Sequence, residues 1–286
     1  MSSPWVAVGF AVFMWWFSTG LVLLLDNLPR TTFRWSLLIS SVVAAAALLG
    51  LAHTASQQTL AGAYCAFTCA LLVWGWHELS FLTGWITGPR RTALAAGSTG
   101  WPRFKGAVAA ILWHELAILA MGVLIVAITW QQPNQVGTLT FVVLWVMRVS
   151  AKLNLFLGVR NLSEQFLPAH LTYMGSFFRR RSMNRLLPWS VLGGVAWATW
   201  LVLAARAPEA SAFTTVGWTL VATLLVMAVV EHLLLVLPMR ASALSSLWRW
   251  AMRDSGGAAP LHPSPPTSTL GAGAGAATDT SLVSPR

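Results

Sequence analysis

Seven stretches of mostly apolar residues, at 5–25, 35–52, 60–86, 106–130, 136–157, 189–205 and 212–237, follow one another along the chain with short polar breaks between them. A run of about twenty such residues, rising about 1.5 Å each as a helix, crosses the hydrocarbon core of a bilayer. The fold this dictates is all-α: a polytopic membrane helix bundle of about seven spans, with no room for a separate soluble domain. Composition agrees, because 56% apolar residues, 9% charged residues and seventeen tryptophans exclude an ordinary soluble protein of 286 residues.

Orientation follows from Lys and Arg, which accumulate in cytoplasmic loops. Arg30 and Arg34 follow the first span, Arg90, Arg91, Arg103 and Lys105 the third, Arg160, Arg179, Arg180, Arg181 and Arg185 the fifth, and Arg240, Arg249 and Arg253 the seventh. Loops on the opposite side carry only Arg206. The expected topology therefore has the N-terminus outside and the C-terminus inside. Trp5, Trp35, Trp130, Trp189 and Trp248 fall near span ends, where an amphipathic ring suits the interface. No basic n-region precedes the first span, so it is expected to stay as an anchor. The net charge of +10 is divided among orienting loops without any nucleic-acid module, which makes anionic membrane lipid the expected partner and nucleic acid not. Cys65 and Cys69, one turn apart, read as small apolar residues.

The membrane domain covers 1–253, and 254–286 reads as a disordered cytoplasmic tail rich in Ala, Gly, Pro and Ser. Within the domain, the inner loop 158–188 is the longest break. Asn161 with Glu164 resembles an N-cap and its third-position acid, and Pro168 forces a break or restart. Leu171, Met174, Phe177 and Phe178 then offer apolar surface beside Arg179, Arg180 and Arg181. This predicts an interfacial helix on the inner leaflet, with Phe166, His170, Phe177, Phe178 and Arg179–181 as the residues that dock membrane or partner.

Three of the eight acidic residues lie beside a histidine inside apolar stretches: His77-Glu78, His114-Glu115 and Glu231-His232. Ionisable residues in a span are costly, so they usually face the protein interior and are paired or used. Counted from the inner ends of their spans, Glu78 and His114 fall about 12 Å deep and Glu231 about 9 Å. Arg148 and Lys152 share that layer, on one face of the fifth span, and Asn154 follows within the same turn. The layer predicts a polar network that fixes helix packing. A metal site is disfavoured, because neighbouring side chains on a helix point about 100° apart and neither Glu-x-x-His nor His-Glu-x-x-His occurs. A third reading is pigment binding, in which a neutral histidine ligates a chlorin's magnesium and Arg or Lys meets an anionic substituent.

The wording of three segments is more specific than their chemistry. WGWHELSFLTGWITGPRR at 74–91, WHELAI at 113–118 and RVSAKLNLFLGVRNLSEQFLPAHLTYMGSFF at 148–178 closely resemble the PuhE family, also described as photosynthetic complex assembly protein 2. The resemblance spans roughly 5–250 and leaves out the tail. It implies a role in purple-type phototrophic bacteria, at the inner membrane and its intracytoplasmic invaginations, in assembling the reaction-centre and light-harvesting complex. Handling of bacteriochlorophyll or a precursor, or docking of nascent subunits and other assembly factors, would be its means. No catalytic residue is implied. The alternative is a membrane enzyme of tetrapyrrole or isoprenoid-tail metabolism using the His/Glu layer, with or without a metal. Against it, no nucleotide-binding loop, activated nucleophile or strong metal motif is visible.

Overall fold

The computed structural model of the chain describes residues 3–162, 164 and 167–237. Among these the protein is all-helical. Its seven helices are each long and apolar enough to cross a membrane. They are α1 (Pro4–Asp26), α2 (Phe33–Thr54), α3 (Leu60–Leu82), α4 (Gly100–Ile128), α5 (Val136–Leu157), α6 (Leu186–Ala205) and α7 (Ala212–Leu234). Phe166, Arg240, Trp248, Arg249, Arg253 and the tail 254–286 lie outside the described residues.

α3 is the central helix and packs on α1, α2, α4, α5 and α7, while α6 closes the far side of α7. Local chemistry starts the two most buried helices. The Thr59 hydroxyl accepts from Gly62 N at the head of α3, and the Ser211 hydroxyl accepts from Thr214 N at the head of α7, each satisfying one otherwise orphaned N-terminal donor. The more peripheral helices contribute narrow stripes of small residues. α1 turns Ala7 and Ala11 inward, and α4 turns Gly106, Ala110, His114, Ile118 and Ile125 inward, a spacing of mostly four residues that keeps one face on the bundle and lets backbones approach. Trp5, Trp35, Trp130 and Trp189 are exposed near helix ends, as interface anchors should be.

Two helix ends differ from the sequence expectation. The third span is not helical to residue 86, because α3 stops at Leu82, where Gly84 takes a positive φ of 77° and His170 Nε2 donates to Leu82 O at 2.7 Å. The fourth begins at Gly100 instead of Gly106. Between them, residues 83–91 run as non-helical chain against α4: Thr87 O accepts from His114 N, and Arg90 N donates to Ala109 O. Gly88 permits this approach, since a Cβ there would overlap the backbone of Ala109 and Ala110. Irregular backbone at membrane depth is tolerable when protein covers it.

The inner loop is also built differently. No α-helix starts at Asn161 among the described residues; its side-chain amide donates to Leu234 O and Leu237 O, both at 2.7 Å, and so closes the end of α7. After Pro168 the chain forms a 3-10 segment, Ala169–Phe177. Leu171 and Met174 face Phe81 of α3 and Ile111 of α4, not lipid, and Phe177 is buried beside Gly106. Phe178 is half-buried and Arg179, Arg180 and Arg181 are exposed.

Candidate functional site

α5 is the polar hub of the bundle. Arg148 Nη2 meets Glu78 Oε2 of α3 at 2.6 Å, and Lys152 Nζ meets Glu115 Oε1 of α4 at 2.5 Å. The two cations, one helical turn apart, thus hold two different neighbours. The opposite face of α5 carries Ser150 and Asn154, again one turn apart. Ser150 Oγ lies 2.9 Å from His232 Nε2 of α7 and 2.9 Å from Ser190 Oγ of α6, and Asn154 Nδ2 donates to Ser190 Oγ at 3.1 Å. His232 Nδ1 donates to Ala228 O at 2.8 Å, which places a ring proton on Nδ1 and aims Nε2 at the Ser150 hydroxyl.

The structure therefore brings together most of the dyad residues, in pairs and not as one cluster. Glu231 stands apart: exposed on α7, it makes no ion pair or hydrogen bond among the described residues, although it lies within electrostatic reach of Arg148 and Glu78. Arg148 is also open, with 43% of its side chain exposed against 14% for Glu78. Inward from this pair, His77 and His114 are each 1% exposed and their rings lie 6.5 Å apart, nearly perpendicular. All four ring nitrogens lack a hydrogen-bond partner, as do Glu78 Oε1 and the hydroxyl of Thr87. A buried polar group left unpaired costs about 1–3 kcal/mol. Four side chains with unpaired polar atoms around α3 and α4 make this the chemically most distinctive place in the bundle.

The donor set limits what could occupy it. No group of three His, Cys, Asp or Glu suited to a metal ion is found among the described residues. The histidine nitrogens are unpaired, as ligation of a chlorin magnesium requires, but Trp76 and Phe141 flank His77 with ring centroids at 4.9 and 6.1 Å, and Phe81 covers His114 at 4.5 Å. Such packing leaves no open face for a macrocycle, so His77 and His114 do not fit bacteriochlorophyll ligation as packed. Cys65 and Cys69 are free thiols with sulfurs 3.9 Å apart.

The sequence missed Ser150, Ser190 and Thr87. A signal existed for Ser150, because Arg148, Ser150, Lys152 and Asn154 alternate along α5 and so populate two polar faces; none existed for Ser190 or Thr87.

Comparison with known proteins adds the family. Residues 1–258 match the profile described as "Protein of unknown function (DUF3623)". The chain belongs to the DUF3623 family. This DUF3623 chain is 36% identical over 257 residues to the "Uncharacterized 30.4 kDa protein in puhA 5'region" of Rhodobacter capsulatus, covering 88% of this chain and 92% of that protein. No solved structure matches it. The family assignment includes every helix and all residues of the charged layer.

Proposed function

We propose that this protein is an integral membrane factor for assembly of the bacterial photosynthetic reaction-centre and light-harvesting complex, acting by docking nascent membrane subunits. The observation that carries this reading is the open charge in the apolar part of the bundle: Arg148 pairs with Glu78 yet keeps 43% of its side chain exposed, and Glu231 near it has no partner among the described residues. A network serving packing alone would draw these charges inward, because a lone charge facing lipid is costly. A partner helix bearing polar groups would offset that cost. The placement of the Rhodobacter capsulatus relative in the puhA 5' region supports a photosynthetic client, as does the resemblance of the 74–91 and 148–178 segments to the PuhE family. The expected setting is the bacterial inner membrane and its intracytoplasmic extensions, with the arginine-rich loops inside.

A second reading, a membrane enzyme of tetrapyrrole or isoprenoid-tail metabolism, draws on a separate observation: the unpaired nitrogens of His77 and His114 beside Glu78. Affinity purification of the full chain from membranes of its native host separates the two. Docking predicts co-purified photosynthetic subunits that are lost in the Arg148→Gln/Glu231→Gln variant. Absence of such subunits, or a stoichiometric transition metal in the pure protein, contradicts it.

A further inference from the structure

At the end of the bundle opposite Arg206, a cavity of about 750 Å³ is lined by Arg103, Arg179, Arg181 and Arg185. Arg103 has a structural task, since its Nη2 donates to Phe156 O at 2.7 Å and to Phe177 O at 2.6 Å and its guanidinium lies 3.9 Å from the Phe156 ring centroid. That accounts for one nitrogen of one arginine. The other three make no ion pair among the described residues, where the only two ion pairs are Glu78–Arg148 and Glu115–Lys152. Arg179 and Arg181 are also close enough to act electrostatically on Arg103.

The chain holds this like-charge group in place. Arg179 N donates to Leu155 O at 3.1 Å, Val159 N to Arg179 O at 3.1 Å, and Arg181 N to Val159 O at 3.0 Å, so the arginine strand is fixed to the end of α5. Gly158, at φ 122°, leaves room for the Arg181 stem; a Cβ there would come within 2.9 Å of its Cγ and Cδ. Asn184 secures the other wall, donating to Asn154 O and Gly158 O while accepting from Leu186 N and Leu187 N at the start of α6. Clustered cations on a fixed backbone, with no carboxylate in the lining, suit a multivalent oxyanion. Apart from Asn184 the rest of the lining is apolar, Leu157, Met183 and Trp189 among it, and both Met183 and Trp189 are exposed. A cationic floor with an apolar wall at a helix end matches the two halves of an anionic amphiphile.

We propose that this cavity binds the phosphate headgroup of an anionic lipid, with the apolar wall taking the first methylenes of its chains. The test uses the full chain in non-ionic detergent, titrated with short-chain phosphatidylglycerol, with phosphatidylcholine of the same chain length, and with inorganic pyrophosphate. Phosphatidylglycerol should bind in preference to the other two. Arg179→Gln/Arg181→Gln should weaken it about tenfold or more, as loss of charged hydrogen bonds does. Met183→Glu, which adds a carboxylate to the cavity without touching an arginine, should weaken it comparably. Arg30→Gln/Arg34→Gln, which removes the same charge outside the cavity, should bind like the unaltered protein. Equal binding of phosphatidylcholine, equal loss in the Arg30/Arg34 variant, or unchanged affinity in Met183→Glu would overturn the proposal. Pyrophosphate binding as tightly as the lipid would assign the cavity to a soluble phosphate and overturn the lipid assignment.

Discussion

Replacing Lys152 by Gln removes the only cation paired with Glu115 among the described residues and leaves a carboxylate at membrane depth between α4 and α5. The ammonium and carboxylate are 2.5 Å apart, and their side chains are 19% and 25% exposed, so water screens the pair little. Breaking one side of such a pair commonly costs about 3–5 kcal/mol. At about 2–4 °C per kcal/mol for a domain of this size, the variant should unfold about 10 °C lower. Glu115→Gln should cost a similar amount, but the double variant should cost clearly less than the sum, because no charge is then left alone. A coupling of about 2 kcal/mol is the expectation, within the range measured for contacting residues. α4 makes the effect visible, since it is held by a single buried stripe from Gly106 to Ile125 and this ion pair lies beside that stripe. The assay is thermal unfolding of detergent-solubilised protein, read by labelling of the buried Cys69 thiol in a Cys65→Ala background. Additivity of the two single costs within about 0.5 kcal/mol would refute the reasoning.

Two further outcomes follow from the architecture. A reporter active only in the cytoplasm should work when inserted in 91–99 and fail in 131–135, given the one-sided basic loops; cytoplasmic activity at 131–135 would reverse the topology. Gly88→Val should prevent stable accumulation in the membrane, because its Cβ would overlap the Ala109 and Ala110 backbone, whereas Gly193→Val, with open space around that position, should leave accumulation within twofold, a change of about 0.4 kcal/mol; equal levels of the two variants would count against the packed 83–91 segment.

Much of the fold was legible because seven apolar runs admit few other solutions, and five of the seven helices end within a few residues of the runs that imply them. The exceptions have a physical cause. Residues 83–86 are apolar enough to extend α3, but Gly84 and the His170 contact turn the chain out of helix, and neither is visible as periodicity. The site was legible in type and only partly in pairing. Depth arithmetic placed Glu78, His114, Arg148 and Lys152 together, yet it assumed helix ends that shift: Glu78 is four residues before Leu82, and His114 fourteen after Gly100. The pairing rests on helix rotation instead, which directs Arg148 to α3 and Lys152 to α4 and turns Ser150 toward α6 and α7. Asn161 shows the same limit: a capping pattern in sequence became a cap for another helix, α7, distant in the chain.

The central claim, that the open charged face serves assembly of the photosynthetic complex, is tested most directly by Glu231→Gln in the native host. Glu231 is exposed and makes no hydrogen bond or ion pair among the described residues, so its replacement should leave the protein's own membrane level unchanged. The measurement is absorption of the assembled photosynthetic complex in membranes, normalised to the immunodetected amount of this protein. The account predicts a marked fall in complex at an unchanged level of the factor. Normal complex absorption in a Glu231→Gln/Arg148→Gln strain that accumulates the protein normally would contradict it.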